Sequence, residues 1–380
     1  MRRVKISEIC EQIRGVSYKP TDVVDSLSGI PILRANNISD DVINYNNLVY
    51  IKKERISPKQ ILKKGDILIC TSSGSKNLVG KAGLITKGNF ISSFGAFCKV
   101  LRAYNTSSEY LFHYFCSDAY RDRISALSAG ANINNIKNEH IDTLEIPIYP
   151  LDKERNLLKV LNKTKVLISK RKQQLSKLDE LAKSRFIEMF GDVKHFKKIE
   201  DFVDGNILSA KKNYKENSTI NYIDISSIDN KNFSITNITK YNFKDAPSRA
   251  QQCVIDGDIL ISTVRPNLKN IAIIKSHESN LVASSGFCVL RAINCPKEFL
   301  FGIVSSDDFT KKMTSLTTGA NYPAIKDSDV LQYPIPDIPL KEMKSFAEFM
   351  QQLDKSKFGI KKSLEKLELT YKALLQEYFG

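Results

Sequence analysis

The sequence predicts an α+β protein: two mixed α/β domains, each followed by a long helix, with the two helices pairing as an antiparallel coiled coil. Three observations carry this expectation. The chain repeats itself, the first part of each copy is rich in short β-like runs, and the second part of each copy carries an apolar stripe at alternating spacings of four and three. At 380 residues the chain is also longer than one hydrophobic core usually holds, so two domains are the natural division.

The repeat comes first, because periodicity decides the architecture. SAGANINNIKNEHID, from Ser128, matches TTGANYPAIKDSDV, from Thr317. Gly130, Ala131, Asn132, Ile136 and Lys137 fall on Gly319, Ala320, Asn321, Ile325 and Lys326, each 189 positions on (130 to 319). The same offset carries Pro150–Leu151 onto Pro339–Leu340, and Leu175, Leu178, Phe190 and Gly191 onto Leu364, Leu367, Phe379 and Gly380. Upstream, GDILIC at Gly65 answers GDILIS at Gly257, and FCKVLRA at Phe97 answers FCVLRA at Phe287 with one residue inserted. An ordered series of this length marks two copies of one unit with pseudo-two-fold internal symmetry.

The expected boundaries are 1–150 for the first mixed domain, 151–192 for its helix, 193–339 for the second mixed domain and 340–380 for the last helix. GDILI, GLIT, GAFCKVLRA and NIAIIK read as strands bounded by turn residues. EYLFHYFCSDAYRDRI and KEFLFGIVSSDDFTKKM each read as a helix. IPIYPLDKE and YPIPDIPLKE place several prolines before the long helices, as stiff extended connectors.

In the first long helix the four–three spacing selects Leu157, Leu161, Thr164, Ile168, Arg171, Leu175, Leu178, Ala182, Arg185 and Met189. In the second it selects Phe346, Met350, Leu353, Lys357, Ile360, Leu364, Leu367, Tyr371, Leu374 and Tyr378. This is the a/d pattern of a coiled coil. One such stripe is commonly a helix lying on its own domain core. Two of equal length, at equal places in duplicated units, point instead to each other. The polar seam entries Arg171, Arg185 and Lys357 are candidates for fixing register.

Composition narrows the partners. There are 57 Lys+Arg against 42 Asp+Glu, a net charge of +15, which favours a polyanion; an anionic membrane surface is the rival. No run of about 18 apolar residues offers a membrane span, and the basic start MRRVKISEICEQIRG lacks the apolar stretch of a secretory signal. The seven cysteines are odd in number, form no CxxC pair and sit mostly in apolar runs, as reduced core residues of a cytoplasmic protein do.

Enzyme motifs are missing. GSKNLVGKA at Gly74 imitates a phosphate loop, but Gly80 is one residue too far and Lys81 is followed by Ala82 rather than a hydroxyl. No GxGxxG, HExxH or GxSxG occurs, nor an Asn-Pro-Pro-Tyr type motif, and His113, His140, His195 and His277 are scattered. No catalytic or metal-binding residue is therefore assigned.

Two mixed domains with two long helices, in tandem copies of about 190 residues, resemble the specificity subunits of type I restriction–modification systems. GDILISTVRPNLKNIAII, SSGFCVLRA and TGANYPAIK look like that family's signatures, as do RGVSYKPTD, GIPILRANNI, GDILICTSSGS and GKAGLI in the first copy. The resemblance covers essentially the whole chain. It implies that each mixed domain is a target recognition domain reading one half of a split double-stranded DNA sequence. It implies that the coiled coil spaces the domains and docks two methyltransferase (modification) subunits. S-adenosylmethionine, ATP and Mg would then act in those and in the restriction subunits, with no cofactor in this chain. A stand-alone nuclease with an unrecognised metal site, and a coiled-coil scaffold that binds no DNA, are the alternatives.

DNA recognition needs cations for phosphates and planar polar groups for base edges. The loops after the GDIL strands supply Ser73, Lys76, Asn77 and Lys81 in the first copy, and Arg265, Asn267 and Lys269 in the second. The strand-like LRANNI adds Arg34, Asn36 and Asn37; SAKKNYKENS adds Lys211 and Lys212; the GAN segments add Asn132, Asn321 and Tyr322. Arg265 stands first among them, with a structural salt bridge as its alternative role. The GAN asparagines have a turn-forming alternative. For the helix pair, the partner-binding candidates are Leu157, Leu161, Ile168, Leu175, Leu178, Leu353, Ile360, Leu364, Leu367 and Leu374.

Overall fold

The computed structural model of the chain describes residues 2–39, 41–74, 78–128, 135–319 and 323–380. It divides into two compact units: Met1–Lys172 with Lys362–Gly380, and Gln173–Lys361. Each unit thus holds one mixed domain, part of its own long helix and part of the other.

In the first unit, strand Arg2–Lys5 pairs antiparallel with Glu145–Ile148, tying the two ends of the mixed domain together. A four-stranded antiparallel sheet runs Cys10–Arg14, Cys98–Ala103, Ile67–Cys70, Ala82–Leu84. A second sheet runs Ser93–Phe94, Ile30–Leu33, Val49–Ile51, Val23–Val24, its first pair parallel. In the second unit the closing pair is Phe196–Lys198 with Pro334–Pro336. The GDIL sheet runs Ile271–Ile273, Ile259–Ser262, Phe287–Leu290. The other sheet runs Thr239–Asn242, Thr219–Ile223, Leu281–Ser284, Ala250–Cys253, again with one parallel pair, Thr219–Ile223 with Leu281–Ser284. Both copies therefore share three strands in each sheet; the GDIL sheet has a fourth, Cys10–Arg14, in the first copy, and the fourth strand of the other sheet lies on opposite edges, Val23–Val24 beside Val49–Ile51 and Ala250–Cys253 beside Leu281–Ser284.

The GDIL motif owes its form to one turn and one ion pair. Gly65 and Gly257 adopt φ of +93° and +91°, a region that a side chain disfavours. The following aspartates are buried, and each accepts a backbone N–H, from Lys63 to Asp66 and from Ile255 to Asp258. The arginine of each LRA segment closes on its aspartate with two hydrogen bonds: Arg102 to Asp66 at 2.8 and 2.7 Å, Arg291 to Asp258 at 2.9 and 2.7 Å. Two motifs that are separate in sequence are thus one fork-to-fork contact in space.

Each helix expected after the LRA strand is in fact two. The helices are Ser108–Phe115 and Asp118–Ser128 in the first unit, and Lys297–Val304 and Asp307–Ser315 in the second. A serine makes each break. Ser117 Oγ accepts from Tyr120 N and Ser306 Oγ from Phe309 N, so each caps a new helix start. LRANNI also departs from expectation: the strand ends at Leu33, and Ala35–Asn37 is a 3-10 turn.

The long helices span Leu151–Phe190 and Leu340–Phe379, each 40 residues or about 60 Å. Each begins directly after the proline of its connector, and their bounds differ by the repeat offset (151 to 340). Every expected seam position is buried or half-buried, and from 167 to 183 the first helix shelters only 168, 171, 175, 178 and 182. Antiparallel pairing is fixed within each unit. In the first, Leu157 and Leu161 share a core with Leu375 and Phe379, with Leu374 packed against it, and Lys172 pairs with Glu368. In the second, Phe186 meets Phe346 and Asp179 pairs with the seam residue Lys357. Leu353 is buried; Ile168, Leu175, Leu178, Ile360, Leu364 and Leu367 are half-buried.

None of the seven cysteines is paired; Cys10, Cys70, Cys98, Cys288 and Cys295 are buried, and Cys116 and Cys253 half-buried. Burial pushes the Cys10 and Cys295 thiols up to about 12. Among the described residues no helix is long and apolar enough to cross a membrane, and no group of three or more His, Cys, Asp or Glu is placed to hold a metal.

Candidate nucleic-acid interface

The loop after each GDIL strand and the segment after each GAN motif are stitched into one surface by backbone bonds. In the first unit Ile136 N donates to Thr71 O at 2.8 Å, and Ser72 bridges Asn135. In the second, Ile325 N donates to Thr263 O at 2.9 Å, Arg265 N to Pro323 O at 2.8 Å, and Val264 bridges Ala324. Segments some 60 residues apart along the chain are thus neighbours, at the same place in both copies.

The second loop is the better described. After Ser262 the backbone rises through Thr263 and Val264 into Arg265, at φ 50° and ψ 60°. A 3-10 turn, Pro266–Leu268, follows, and Lys269 at φ 54° and ψ 42° closes it. Two non-glycine residues in the left-handed region flank one three-residue turn, a conformation that persists only where surrounding contacts hold it. Arg265 and Asn267 are exposed on this turn. Lys269 is not: it donates to the Ser305 carbonyl at 3.3 Å and pairs with Asp307 at 2.5 Å. That partner holds the Asp307 carboxyl below its ordinary range. Lys269 is therefore committed within the domain.

In the first loop Ser73 and Lys81 are half-buried flanks. Lys81 O accepts from Cys70 N at 2.9 Å, so Lys81 matches Asn270, whose carbonyl accepts from Ser262 N at 2.9 Å. Lys76, Asn77, Asn132, Asn321 and Tyr322 lie outside the described residues.

The other candidates stand on separate elements. Asn37 is buried, and its amide donates to the carbonyls of Asn44 and Asn46 while its oxygen accepts from Arg34 N. These bonds shape the 3-10 turn. Asn36 is exposed on that turn and Arg34 half-buried beside it. Lys211 and Lys212 are exposed on the short helix Ala210–Asn213, which is joined to the Ala250–Cys253 strand of the other sheet through the Tyr214–Cys253 neighbourhood. The backbone stitching of GDIL and GAN loops was not foreseen; the only signal for it was that both motifs recur in both copies.

Residues 1–179 and 192–370 match the family model described as "Type I restriction modification DNA specificity domain". The chain is similar to the StySPI specificity subunit of Salmonella potsdam, at 37% identity over 181 residues, and to the EcoKI specificity subunit of Escherichia coli K12, at 36% over 181 residues. Each alignment covers 47% of this chain and 39% of the relative, so the chain matches about two fifths of their length. The MjaVIII specificity subunit of Methanocaldococcus jannaschii aligns at 23% identity, over 98% of this chain and 90% of that one. The fold resembles the crystal structure of a type I restriction–modification S subunit from M. genitalium, with a TM-score of 0.58 and 13% identity over 100% of this chain and 96% of that one. It also resembles a chain from a study of assembly and conformational transition in a type I R-M system, with a TM-score of 0.53 and 16% identity over 100% and 97%. With both copies matched over most of their length, this chain belongs to the family of type I restriction–modification DNA specificity domains.

Proposed function

We propose that this chain is the DNA-reading subunit of a type I restriction–modification complex and has no catalytic centre of its own. Each mixed domain reads one half of a bipartite double-stranded target. The paired helices set the gap between the halves and dock two methyltransferase subunits. Restriction subunits join them, S-adenosylmethionine, ATP and Mg act in those partners, and the complex works in the cytoplasm.

The observation that carries this function is the repeated composite surface. In each copy a turn after the GDIL strand is stitched to the GAN segment, and in the second copy this turn lifts Arg265 and Asn267 to the surface. Guanidinium and amide groups are the side chains that read guanine and adenine edges in pairs of bonds. The charge of +15 supports a phosphate-bearing partner.

The test is to map methylated adenines in cells with and without the gene, and with residues 195–336 replaced by the matching domain of a relative. One half of the methylated sequence should change and the other stay. A change in both halves would refute modular reading. DNA cleavage by the purified chain with magnesium alone would instead identify a nuclease, and no sequence-dependent retention of DNA with any methyltransferase partner would identify a scaffold.

A further inference from the structure

We propose that Asp307 is a positioning residue that fastens the exit of the second reading turn to the first long helix, so that recognition by this turn depends on the helix beside it. The inference rests on the turn being a DNA reader, as proposed above.

The turn needs a fastening. Its left-handed residues, Arg265 and Lys269, lie at its two ends, and such backbone relaxes unless its neighbours hold it. The entry is held by the bond from Arg265 N to Pro323 O, and the middle by Asn230 Nδ2 on Leu268 O at 2.8 Å. The exit is held through the Lys269 side chain, which reaches Ser305 O and Asp307. Asp307 opens the helix capped by Ser306, a rigid base for the carboxylate. Its second oxygen lies 3.4 Å from Lys183 Nζ on the first long helix. One carboxylate therefore joins the turn to the helix, all within the second unit.

The first copy shows which half of this bridge is common. Asp118, 189 positions before Asp307, pairs at 2.9 Å with Lys372, 189 positions after Lys183. The helix arm is therefore duplicated. The loop arm is not. The residue matching Lys269 is Gly80, at φ +82°, where glycine needs no tether to hold that backbone. The Val79 carbonyl, which matches that of Leu268, accepts from Arg121 Nη1 at 2.9 Å, so the hold before the exit is present in both copies and only the lysine tether is added in the second. The second copy has a lysine in a place that suits glycine, and the lysine has a carboxylate to meet.

The experiment uses the full chain in complex with its methyltransferase subunits, and a duplex bearing the methylated target. Binding is measured on that duplex and on duplexes with single base changes in either half. Asp307→Asn keeps size and removes charge. It should weaken target binding about two- to fivefold, the worth of an exposed ion pair. It should also reduce discrimination in the second half-site while leaving the first unchanged. Lys183→Ala should show the same pattern more weakly, and Asp307→Glu, which keeps the carboxylate between Lys269 and Lys183, should retain discrimination. Circular dichroism of each variant checks folding, and the conservative Asp307→Glu keeps the test decisive if a single variant unfolds. Unchanged discrimination in Asp307→Asn, or equal loss at both half-sites, overturns the proposal. If the parent complex itself shows no sequence preference, the reading function fails first and the positioning role with it.

Discussion

The two joints between mixed domain and long helices occupy equivalent places and share an aromatic contact, Tyr110 with Phe379 and Phe299 with Phe190, but differ in chemistry at one matched position beside it. In the first unit that position is polar. His113 Nδ1 lies 2.7 Å from Tyr371 Oη on the second long helix, and Nε2 lies 2.7 Å from Asn162 Oδ1 on the first. Asn162 in turn donates to Glu109 at 2.7 Å. With its Nδ2 on a carboxylate, Asn162 offers oxygen to the ring, so Nε2 carries the proton and Nδ1 accepts from tyrosine. In the second unit the residue matching His113 (113 to 302) is Gly302, and the space is filled by Phe346 beside Phe186, Phe190 and Phe299. A duplicated backbone thus tolerates a hydrogen-bonded lock or an aromatic one, and the two fail under different conditions.

The aromatic joint is the more sensitive to truncation. Phe346 is 1% exposed, with ring centroids of Phe186 and Phe190 at 5.6 and 5.4 Å. Phe346→Ala should cost about 3–5 kcal/mol, from lost burial and the cavity left behind. Hydrogen exchange should rise in the second unit, 173–361, and leave the first near its parent values. Equal loosening of both units would show that the joints are not independent.

The polar joint is the more sensitive to acid. Burial pushes His113 down to about 4; the Asn162 bond opposes this and the nearby Lys165 charge adds to it. An unfolded histidine titrates near 6.5. Between these values the unfolded chain holds more protons, so stability rises with pH. The contribution is complete above about 6.5 and is lost as pH falls towards 4, amounting to about 3 kcal/mol over that range. Exchange measured from pH 7 to 4.5 should therefore show the first unit loosening ahead of the second, with a flatter profile in His113→Gln. A first unit no more acid-sensitive than the second would refute the buried neutral imidazole.

How much of this was legible in the sequence follows from range. The seam of the long helices was, because a period of four and three is local, and Leu157 to Tyr378 all fall on sheltered positions. The breaks at Ser117 and Ser306 were missed because apolar spacing continues through them, and a cap is one hydroxyl in an otherwise helical pattern. The polar joint was invisible: His113 meets partners 49 and 258 positions away. Asp66 and Arg102 stood in two recognised motifs, yet their contact needed the sheet to place them. Among the reading candidates, Lys269 and Asn37 show the limit most clearly. A lysine and an asparagine in a loop look alike whether they face a ligand or hold the loop itself.

Asn162 and Gln351 are matched positions (162 to 351) that sharpen the contrast, since both bond the matched glutamates, Glu109 and Glu298. Asn162→Ala leaves the buried Nε2–H of His113 without an acceptor and should cost about 1–3 kcal/mol, read from urea midpoints at pH 7.

Gln351→Ala should have the smallest effect. Its bond to Glu298 is long, at 3.3 Å, and both groups are in contact with water. Removing it exchanges one weak protein bond for bonds to water and strands no buried polar atom. The helix also gains slightly, because alanine is the better helix former. The net change should lie within about 0.5 kcal/mol, the range of surface substitutions away from packed or paired groups. The same amide-to-carboxylate contact is thus worth little in one copy and much in the other. The amide itself does not differ; the imidazole behind it does. A double variant decides between these causes. In Gly302→His with Gln351→Asn, the bulk of Phe346, whose Cε1 would lie 3.1 Å from a Cβ at 302, excludes the ring, so the second unit should be destabilised rather than acquire the polar lock. Adding Phe346→Leu, the residue type found at the matching Leu157, should relieve that clash. If the triple variant is no more stable than the double, the polar joint depends on more of its surroundings than these three positions.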